Sequence, residues 1–461
     1  VRSKVRVKGG LGMAPGIGVG GKSSLWSMRS VYAKESGQCR PRPMWKRWGR
    51  QWWGLDMGRL QGFGMRADRG LPGVRICAIF HWRNNINQKK GMLGMLEARA
   101  YKVAEPDDIE TPAMLVFADQ LDNNIGVVAE MAGGAENLIV HVKTHKSAAV
   151  AHKQLAAGVA GFKCATLKEL EMVLAIGAQE AILAYPMVQK IKVQRFAELA
   201  QGEAAVSAIV SDPAHVRVLG AVASERGQAL TAMIDIDAGM HRTGVAPERA
   251  ADLYREIARH PQLEPGGFHI YDGHEHFTDE GERQAAAQRH IDGAQQLKGV
   301  LAAEGIAVPR IVGGSTFSFA HYARTEGMHG SPGTCIYWDT GYGGLLQDWP
   351  FEWAALVLTQ VIDRHAGAEM VTTDLGLKAI SDDGPLPERA TLLQKPDAEM
   401  LGQNEEHGIF RWPEPQPEIG SYLLAVPRHV CPTTIRYPGS YVIDGEGQIA
   451  DYYPHTSRDR H

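Results

Sequence analysis

The first place where residue type and position point to chemistry is a lysine that closes an apolar run. It lies in His141-Val142-Lys143-Thr144-His145-Lys146, at the end of the strand-like segment Asn137–Val142. An amine that faces a protein interior is costly to charge unless it is paired or used covalently. Desolvation lowers its pKa toward the free base, the form that condenses with an aldehyde. A Lys-rich surface turn fits the same spacing. Further along, Gly313-Gly314-Ser315-Thr316 and Ser331-Pro332-Gly333-Thr334 are Gly-rich turns carrying hydroxyls. Such turns let backbone N–H groups approach a phosphate, although ordinary turns share the composition. A third cluster is Pro427-Arg428-His429-Val430-Cys431-Pro432-Thr433. His429 and Cys431, two apart on an extended strand, share a face and can reach one ion. An imidazole and a thiolate suit Zn²⁺ and related borderline metals, and two protein ligands leave positions open for substrate and water. A chance pair is the bland alternative. Asn404-Glu405-Glu406-His407-Gly408 is another polar cluster, readable as part of a site or as a solvated turn.

These residues need elements to position them. From about Met114, apolar or β-branched runs alternate with helical stretches. The spacing predicts strands at Asn137–Val142, Gly161–Ala165, Ala181–Tyr185, Ala205–Val210, Leu230–Ile236, Gly267–Tyr271, Arg310–Val312 and Thr334–Trp338. Between them it predicts helices such as Leu167–Ile176, Ala250–Arg259 and Gly281–Glu304. That repetition favours an α/β fold with a closed (β/α)₈ TIM-type barrel over an open sheet. In such a barrel the active site gathers at the C-terminal ends of the strands. After Gly343 the helical pattern fades. Ala354–Ile362, Met370–Thr373, Tyr422–Ala425 and Ser440–Ile443 read as strands of a mainly β C-terminal domain. The expected organisation is an extension over 1–91, a barrel over 92–345 and a β-rich domain over 346–461.

Charge is unevenly spread along the 461 residues. Residues 1–90 hold 19 Lys+Arg against 3 Asp+Glu, while the remainder holds 30 against 49, giving the net −3. The first segment also lacks any periodicity. It reads as a disordered tail, or as sequence ahead of a start near Met92 or Met95, and it lacks the apolar region of a secretory signal. Five scattered cysteines do not make a disulfide scaffold and fit a reducing cytoplasm. No apolar run is long enough for a membrane helix. The expectation is a cytoplasmic protein with neither nucleic acid nor membrane as partner.

Taken in order, the motifs resemble those of the D-threonine aldolase/D-serine dehydratase family of fold-type III enzymes dependent on pyridoxal phosphate (PLP). The matching segments are Asp108–Ala113, His141–Lys146, Asp237–Gly244, Tyr271–His274, Gly313–Thr316, Pro332–Thr334, Glu405–Gly408 and His429–Thr433. The resemblance implies that Lys143 carries pyridoxal phosphate, with Gly314, Ser315 and Thr316 at its phosphate and Arg242, Tyr271 and Tyr185 lining it. It implies a divalent metal (Zn, Mn or Mg) on His429 and Cys431, and a base drawn from His145 or His407. The strand near Ala113–Phe117 is expected to join the C-terminal domain. The activity implied is that of a lyase on β-hydroxy-D-amino acids, working as a homodimer. Retro-aldol cleavage gives glycine and an aldehyde, and the alternative dehydration gives a keto acid and ammonia. Family aldolases typically carry Asp where this chain has Cys431, while dehydratases typically carry Cys. An amino-acid racemase and a non-catalytic cofactor-binding protein share the barrel, but neither accounts for the His-x-Cys pair.

Overall fold

The structure is a computed structural model that describes residues 96–98 and 100–460. The basic segment 1–91 lies outside the described residues. Leu96–Ala98 (β1) and Tyr101–Val103 (β2) form a short hairpin ahead of Ala113–Phe117 (β3). Eight strands then alternate with helices: β4 Ile139–His141, β5 Gly161–Cys164, β6 Glu180–Leu183, β7 Ala205–Val210, β8 Leu230–Asp237, β9 Leu263–Tyr271, β10 Ile311–Gly313 and β11 Met328–Gly330. They run parallel in sequence order, and a bridge between Leu138 and Gly330 closes the ring. The N–H of His141 reinforces the closure by donating to the Pro332 carbonyl at 2.8 Å.

Local chemistry explains the covering helices. Thr166, Asp212 and Asp279 each accept a backbone N–H from the first turn of the helix that follows. In Pro247–Arg259, Ala250, Leu253, Tyr254 and Ile257 recur at helical spacing and bury one face against the barrel. Inside the ring, side chains sit in layers. Ile139, Ile182, Ile209, Met233 and Val312 pack together as an apolar plug. Two residues earlier along the strands, Glu180 pairs with Arg310, which also bonds His329 at 3.1 Å. Two residues later lies a polar layer of His141, Lys163, Asp235 and His269, all buried. That layer is the floor of the C-terminal mouth.

The second domain is built from β12 Ala355–His365, β13 Met370–Thr373, β14 Ala390–Leu392, β15 Met400–Gln403, β16 Gly408–Arg411, β17 Tyr422–Pro427, β18 Gly439–Ile443 and β19 Ile449–Pro454. Its path runs β15-β16-β13-β12-β3-β18-β19, with β17 also pairing β12 and β14. As expected, β3 joins this domain, antiparallel to β12 and parallel to β18. It reads as a continuous apolar run because both its faces are covered: Met114 and Val116 join one core cluster, Leu115 and Phe117 another.

Two expectations are corrected. The eighth barrel strand is Met328–Gly330, whereas Thr334–Ile336 is a 3₁₀ turn. Pro332 cannot donate to a ladder, so pairing stops before Thr334. The true strand, Met-His-Gly, lacks an apolar run, and a Cβ on Gly330 would sit 2.4 Å from the Phe319 carbonyl oxygen. Likewise His429 and Cys431 do not lie along a strand. His429 is the extended cap, and Cys431 sits in the first turn, of the short helix Val430–Thr434. The Val430 N–H donates to Asp339 Oδ2 at 3.0 Å, which turns the chain out of β17. Among the described residues, no helix is long and apolar enough to cross a membrane.

Candidate active site

Lys143 lies in the turn after β4, half-buried, where the barrel mouth meets the second domain. The turn is pinned from both sides. Lys146, in left-handed backbone (φ 53°), forms a buried ion pair with Glu169, whose other oxygen accepts the Ala165 N–H at 2.6 Å. From the C-terminal tail, the N–H and hydroxyl of Ser457 both donate to the Lys146 carbonyl at 3.1 Å.

Three cationic groups surround one ring at the mouth. Lys143 Nζ lies 5.7 Å, Lys163 Nζ 5.6 Å and Arg242 Cζ 4.7 Å from the centre of the Tyr271 ring. Arg242 is delivered by a loop that needs Gly244, at φ 112°, because a Cβ there would meet the Asp237 nitrogen at 2.5 Å. Among the described residues, none of the three cations has a carboxylate within ion-pair distance. In the layer beneath, His269 Nδ1 bonds Asp235 Oδ1 at 2.7 Å, and the Thr243 hydroxyl donates to Asp235 Oδ2 at 2.7 Å. Burial, reinforced by the Lys143 charge, lowers the Lys163 amine to about 7. Burial and the same lysine charges hold His141 well below its ordinary value.

The His429–Cys431 pair borders this mouth. Cys431 Sγ lies 3.3 Å from Thr144 Oγ1 and 3.4 Å from Thr334 Oγ1. Burial would raise the Cys431 thiol, but the hydrogen bond and charge of His429 outweigh it and bring the thiol below its usual value. His429 Nδ1 is in turn bonded to Asp383. Burial opposes protonation of His429, yet Cys431 and Asp383 together lift it to about 9. A thiol biased toward thiolate, beside an imidazole oriented by a carboxylate, is a donor set suited to a borderline divalent metal. Among the described residues, no cluster of three or more His, Cys, Asp or Glu side chains forms a closed metal site. Any ion here would draw its remaining ligands from elsewhere.

The remaining candidates are distributed unevenly. Ser315 and Thr316 are buried at the end of β10 behind Gly314, whose φ of 92° requires glycine. The Ser315 N–H donates to Ser318 Oγ at 2.9 Å, and the Ser315 hydroxyl lies 3.3 Å from the same oxygen. His145 is fully buried against Tyr337, accepting the Ser147 N–H at 3.1 Å. Burial, aided by the His455 charge, drops it to about 3, so it is a feeble proton acceptor. Tyr185 is half-exposed under Lys192 and lines a separate cavity of about 310 Å³ with Thr166, Met187 and Arg195. His407 sits on an exposed turn next to Glu405 and Glu406, which pair with Lys378. Among the described residues, no hydrogen bond or ion pair joins His407 to the other candidates. Sequence reasoning missed Lys163 and Asp383, and it read Thr334 only as part of a Gly-rich phosphate turn, whereas the Thr334 hydroxyl contacts the Cys431 sulfur. Lys163 carried a signal, a lone lysine on the inward-facing alternation of a strand.

The residues at the mouth fit pyridoxal phosphate. They offer an amine, an aromatic face, uncompensated cations for an anionic ring, and a glycine-hydroxyl turn for the phosphate. His269 Nε2 is a buried nitrogen without a partner in the floor. Residues 116–341 match the alanine racemase N-terminal domain family, and residues 354–443 match the serine dehydratase domain family. This chain belongs to the D-threonine aldolase/D-serine dehydratase family of fold-type III enzymes. A 3-hydroxy-D-aspartate aldolase of Paracoccus denitrificans is 26% identical over 367 residues, covering 77% of this chain and 93% of its own. The D-threo-3-hydroxyaspartate dehydratase of Delftia sp. (strain HT23) is 27% identical over 373 residues, covering 74% and 96%. The crystal structure of D-threonine aldolase from Filomicrobium marinum matches with a TM-score of 0.70 at 27% identity, covering 76% of this chain and 96% of that one. The family thus includes both cleaving and dehydrating members.

Proposed function

We propose that this protein is a lyase of β-hydroxy-D-amino acids, with pyridoxal phosphate on Lys143 and a divalent metal between His429 and Cys431. The observation that carries this reading is the meeting of the two half-sites: Thr144, next to Lys143, touches the Cys431 sulfur at 3.3 Å. Bound cofactor would supply an electron sink for charge developing at the substrate α-carbon, and the metal a Lewis acid for its β-hydroxyl. Lys143 holds the cofactor, Tyr271 and Arg242 line it, and Gly314, Ser315 and Thr316 receive its phosphate. Cys431 and His429 hold the metal, with Asp383 fixing the imidazole. The base for the hydroxyl proton would be His145 or His407, and burial lowers the proton affinity of His145. In the first reading, a retro-aldolase, a base takes the hydroxyl proton as the bond between α- and β-carbons breaks, the β-carbon leaves as the aldehyde, and a proton is returned to the α-carbon to give glycine. Cys431 favours a second reading, a dehydratase, in which Lys143 removes the α-proton and the β-oxygen departs.

Product analysis decides between them. Purified protein with pyridoxal phosphate and Mn²⁺ or Zn²⁺ is offered D-threonine, 3-hydroxy-D-aspartate and D-serine separately. Glycine plus an aldehyde supports the first reading, and a keto acid plus ammonia supports the second. Absence of both sets rejects the substrate class. We read the assembly as a homodimer, a reading supported by the exposed apolar Tyr185, Val188 and Ile191 beside the cavity and checked by sedimentation. The unpaired thiols Cys164, Cys335 and Cys431 support a cytoplasmic setting.

A further inference from the structure

The cavity beside Tyr185 takes no part in the proposed chemistry. It lies at the C-terminal ends of β5 and β6, on the same face of the barrel as the cofactor mouth, but Lys143, Arg242 and Tyr271 do not line it. Its occupant is therefore not the substrate held at the mouth. Leu167, Leu183, Met187 and the Tyr185 ring give it an apolar wall. At about 310 Å³ it is twice the roughly 150 Å³ that encloses one benzene ring, so it takes a ring with a short chain attached. Charges of one sign close its edge. Lys192 and Arg195 reach it from the helix Lys190–Leu199, and Arg460 from the C-terminal tail, while no acidic side chain among the described residues lines it. Arg195 bonds Glu171 at 2.9 Å, but that carboxylate also takes Lys168 at 3.1 Å. Among the described residues, Lys192 and Arg460 have no carboxylate within ion-pair distance, and Lys192 lies instead 5.5 Å from the centre of the Tyr185 ring. The helix starts at the cavity, where the Gln189 side chain does not cap it, so its positive end adds to the same field. An apolar wall with an uncompensated positive edge is complementary to a molecule apolar at one end and anionic at the other.

The cavity wall also supports the Lys143 turn. Ala165 and Thr166 line it. The Ala165 N–H donates to Glu169 at 2.6 Å, the Thr166 hydroxyl accepts the Glu169 N–H at 3.1 Å, and Glu169 pairs with Lys146. On the other side, Arg460 follows Ser457, which donates twice to the Lys146 carbonyl. A molecule held between the helix and the tail braces both supports of that turn. We propose that this cavity binds a small amphipathic anion, a ring or branched chain ending in one carboxylate, and that its occupancy steadies the Lys143 turn for cofactor. The second half rests on Lys143 being the carrier.

The test uses the full-length chain with 3-phenylpropionate as probe, 3-phenyl-1-propanol as its neutral counterpart and acetate as the anion without a ring. Calorimetry on cofactor-free protein should show the probe binding about fivefold or more tighter than the alcohol, and acetate not binding measurably. Lys192→Gln combined with Arg195→Gln should bring probe and alcohol within about twofold of each other. Met187→Trp fills the apolar wall and should weaken the probe about tenfold or more. Ile191→Trp, at the exposed rim, takes its place if circular dichroism shows Met187→Trp misfolded. Saturating probe should tighten pyridoxal phosphate binding about fivefold or more, read from cofactor absorbance. No binding of the probe, as when a second copy of the chain fills the cavity, overturns the site, and so does binding that these variants leave unchanged. Weaker cofactor binding in the presence of probe places the anion at the mouth and overturns it too. Unchanged cofactor affinity overturns the steadying role alone. A chain that binds no cofactor, with or without probe, removes the carrier assignment and the steadying role, while calorimetry still decides the site.

Discussion

Thr144 Oγ1 and Cys431 Sγ are 3.3 Å apart, which ties the turn bearing Lys143 to the helix bearing the thiol across the seam between barrel and β domain. The hydroxyl is one of the contacts that hold the thiol below its ordinary value. Thr144→Val removes a hydrogen bond of about 1 kcal/mol, so the Cys431 pKa should rise by roughly half a pH unit to one. Thiolate absorbance against pH, in protein without metal, checks this.

Cys431→Ala should abolish metal-dependent turnover while pyridoxal phosphate remains bound. Asp383→Ala should act more mildly, because it only frees the His429 ring, and weaken metal binding by roughly 10–100-fold. Titration calorimetry with Zn²⁺ or Mn²⁺ reads both effects. Undiminished metal affinity in Cys431→Ala would refute the ligand assignment.

Lys143→Ala should remove the visible absorbance of the protein-bound cofactor and all turnover. Retained absorbance at the original wavelength would place the carrier elsewhere.

The Lys146–Glu169 pair is almost wholly buried, with side-chain exposures of 10% and 0%. Lys146→Met strands a buried carboxylate and should cost about 3–5 kcal/mol of stability. Adding Glu169→Gln removes the stranded charge and keeps an acceptor for the Ala165 N–H. The double variant should therefore recover most of the loss in urea unfolding.

Lys163 makes stability depend on pH in a defined sense. Its amine falls from an ordinary value of 10.5, which the unfolded chain regains, to about 7 in the folded chain. The unfolded chain therefore binds more protons between those values. Stability should rise with pH through that window, and the full penalty is present below about 7. Lys163→Met removes the penalty. In cofactor-free protein it should be stabilising by a few kcal/mol near pH 6, on the order of 1.4 kcal/mol for each pH unit separating the two values, and nearly neutral above about pH 10. Urea unfolding at the two pH values would expose an error in this sign.

Much of this was legible in the chain itself. Strands with long apolar runs, such as Ala205–Val210 and Leu230–Asp237, announce themselves through composition, as do the amphipathic helices between them. Met328–Gly330 did not, because its backbone pairing is fixed by neighbours and by a close approach to Phe319. The site was legible where it is local, as in the Lys143 turn and the Gly313–Thr316 turn. It was not legible where it depends on tertiary encounter. Asp383 reaches His429 from a distant loop, and the packing of His145 against Tyr337 likewise joins residues far apart in sequence. The turn at His429 also defeated strand-based reasoning, since Asp339 redirects the chain from far away in sequence.

The strand Ala113–Phe117 is made before the barrel, yet its partners are Ala355–Leu358 and Tyr441–Ile443. On the ribosome it therefore emerges early and is sealed late. The barrel strands, all lying between those partners in sequence, can close while this apolar segment still waits exposed. A chain interrupted before Tyr441 would leave it with one flank open, a sticky edge in search of another molecule. A chain ending before Tyr441 should therefore aggregate more readily than the full chain, and through these five residues.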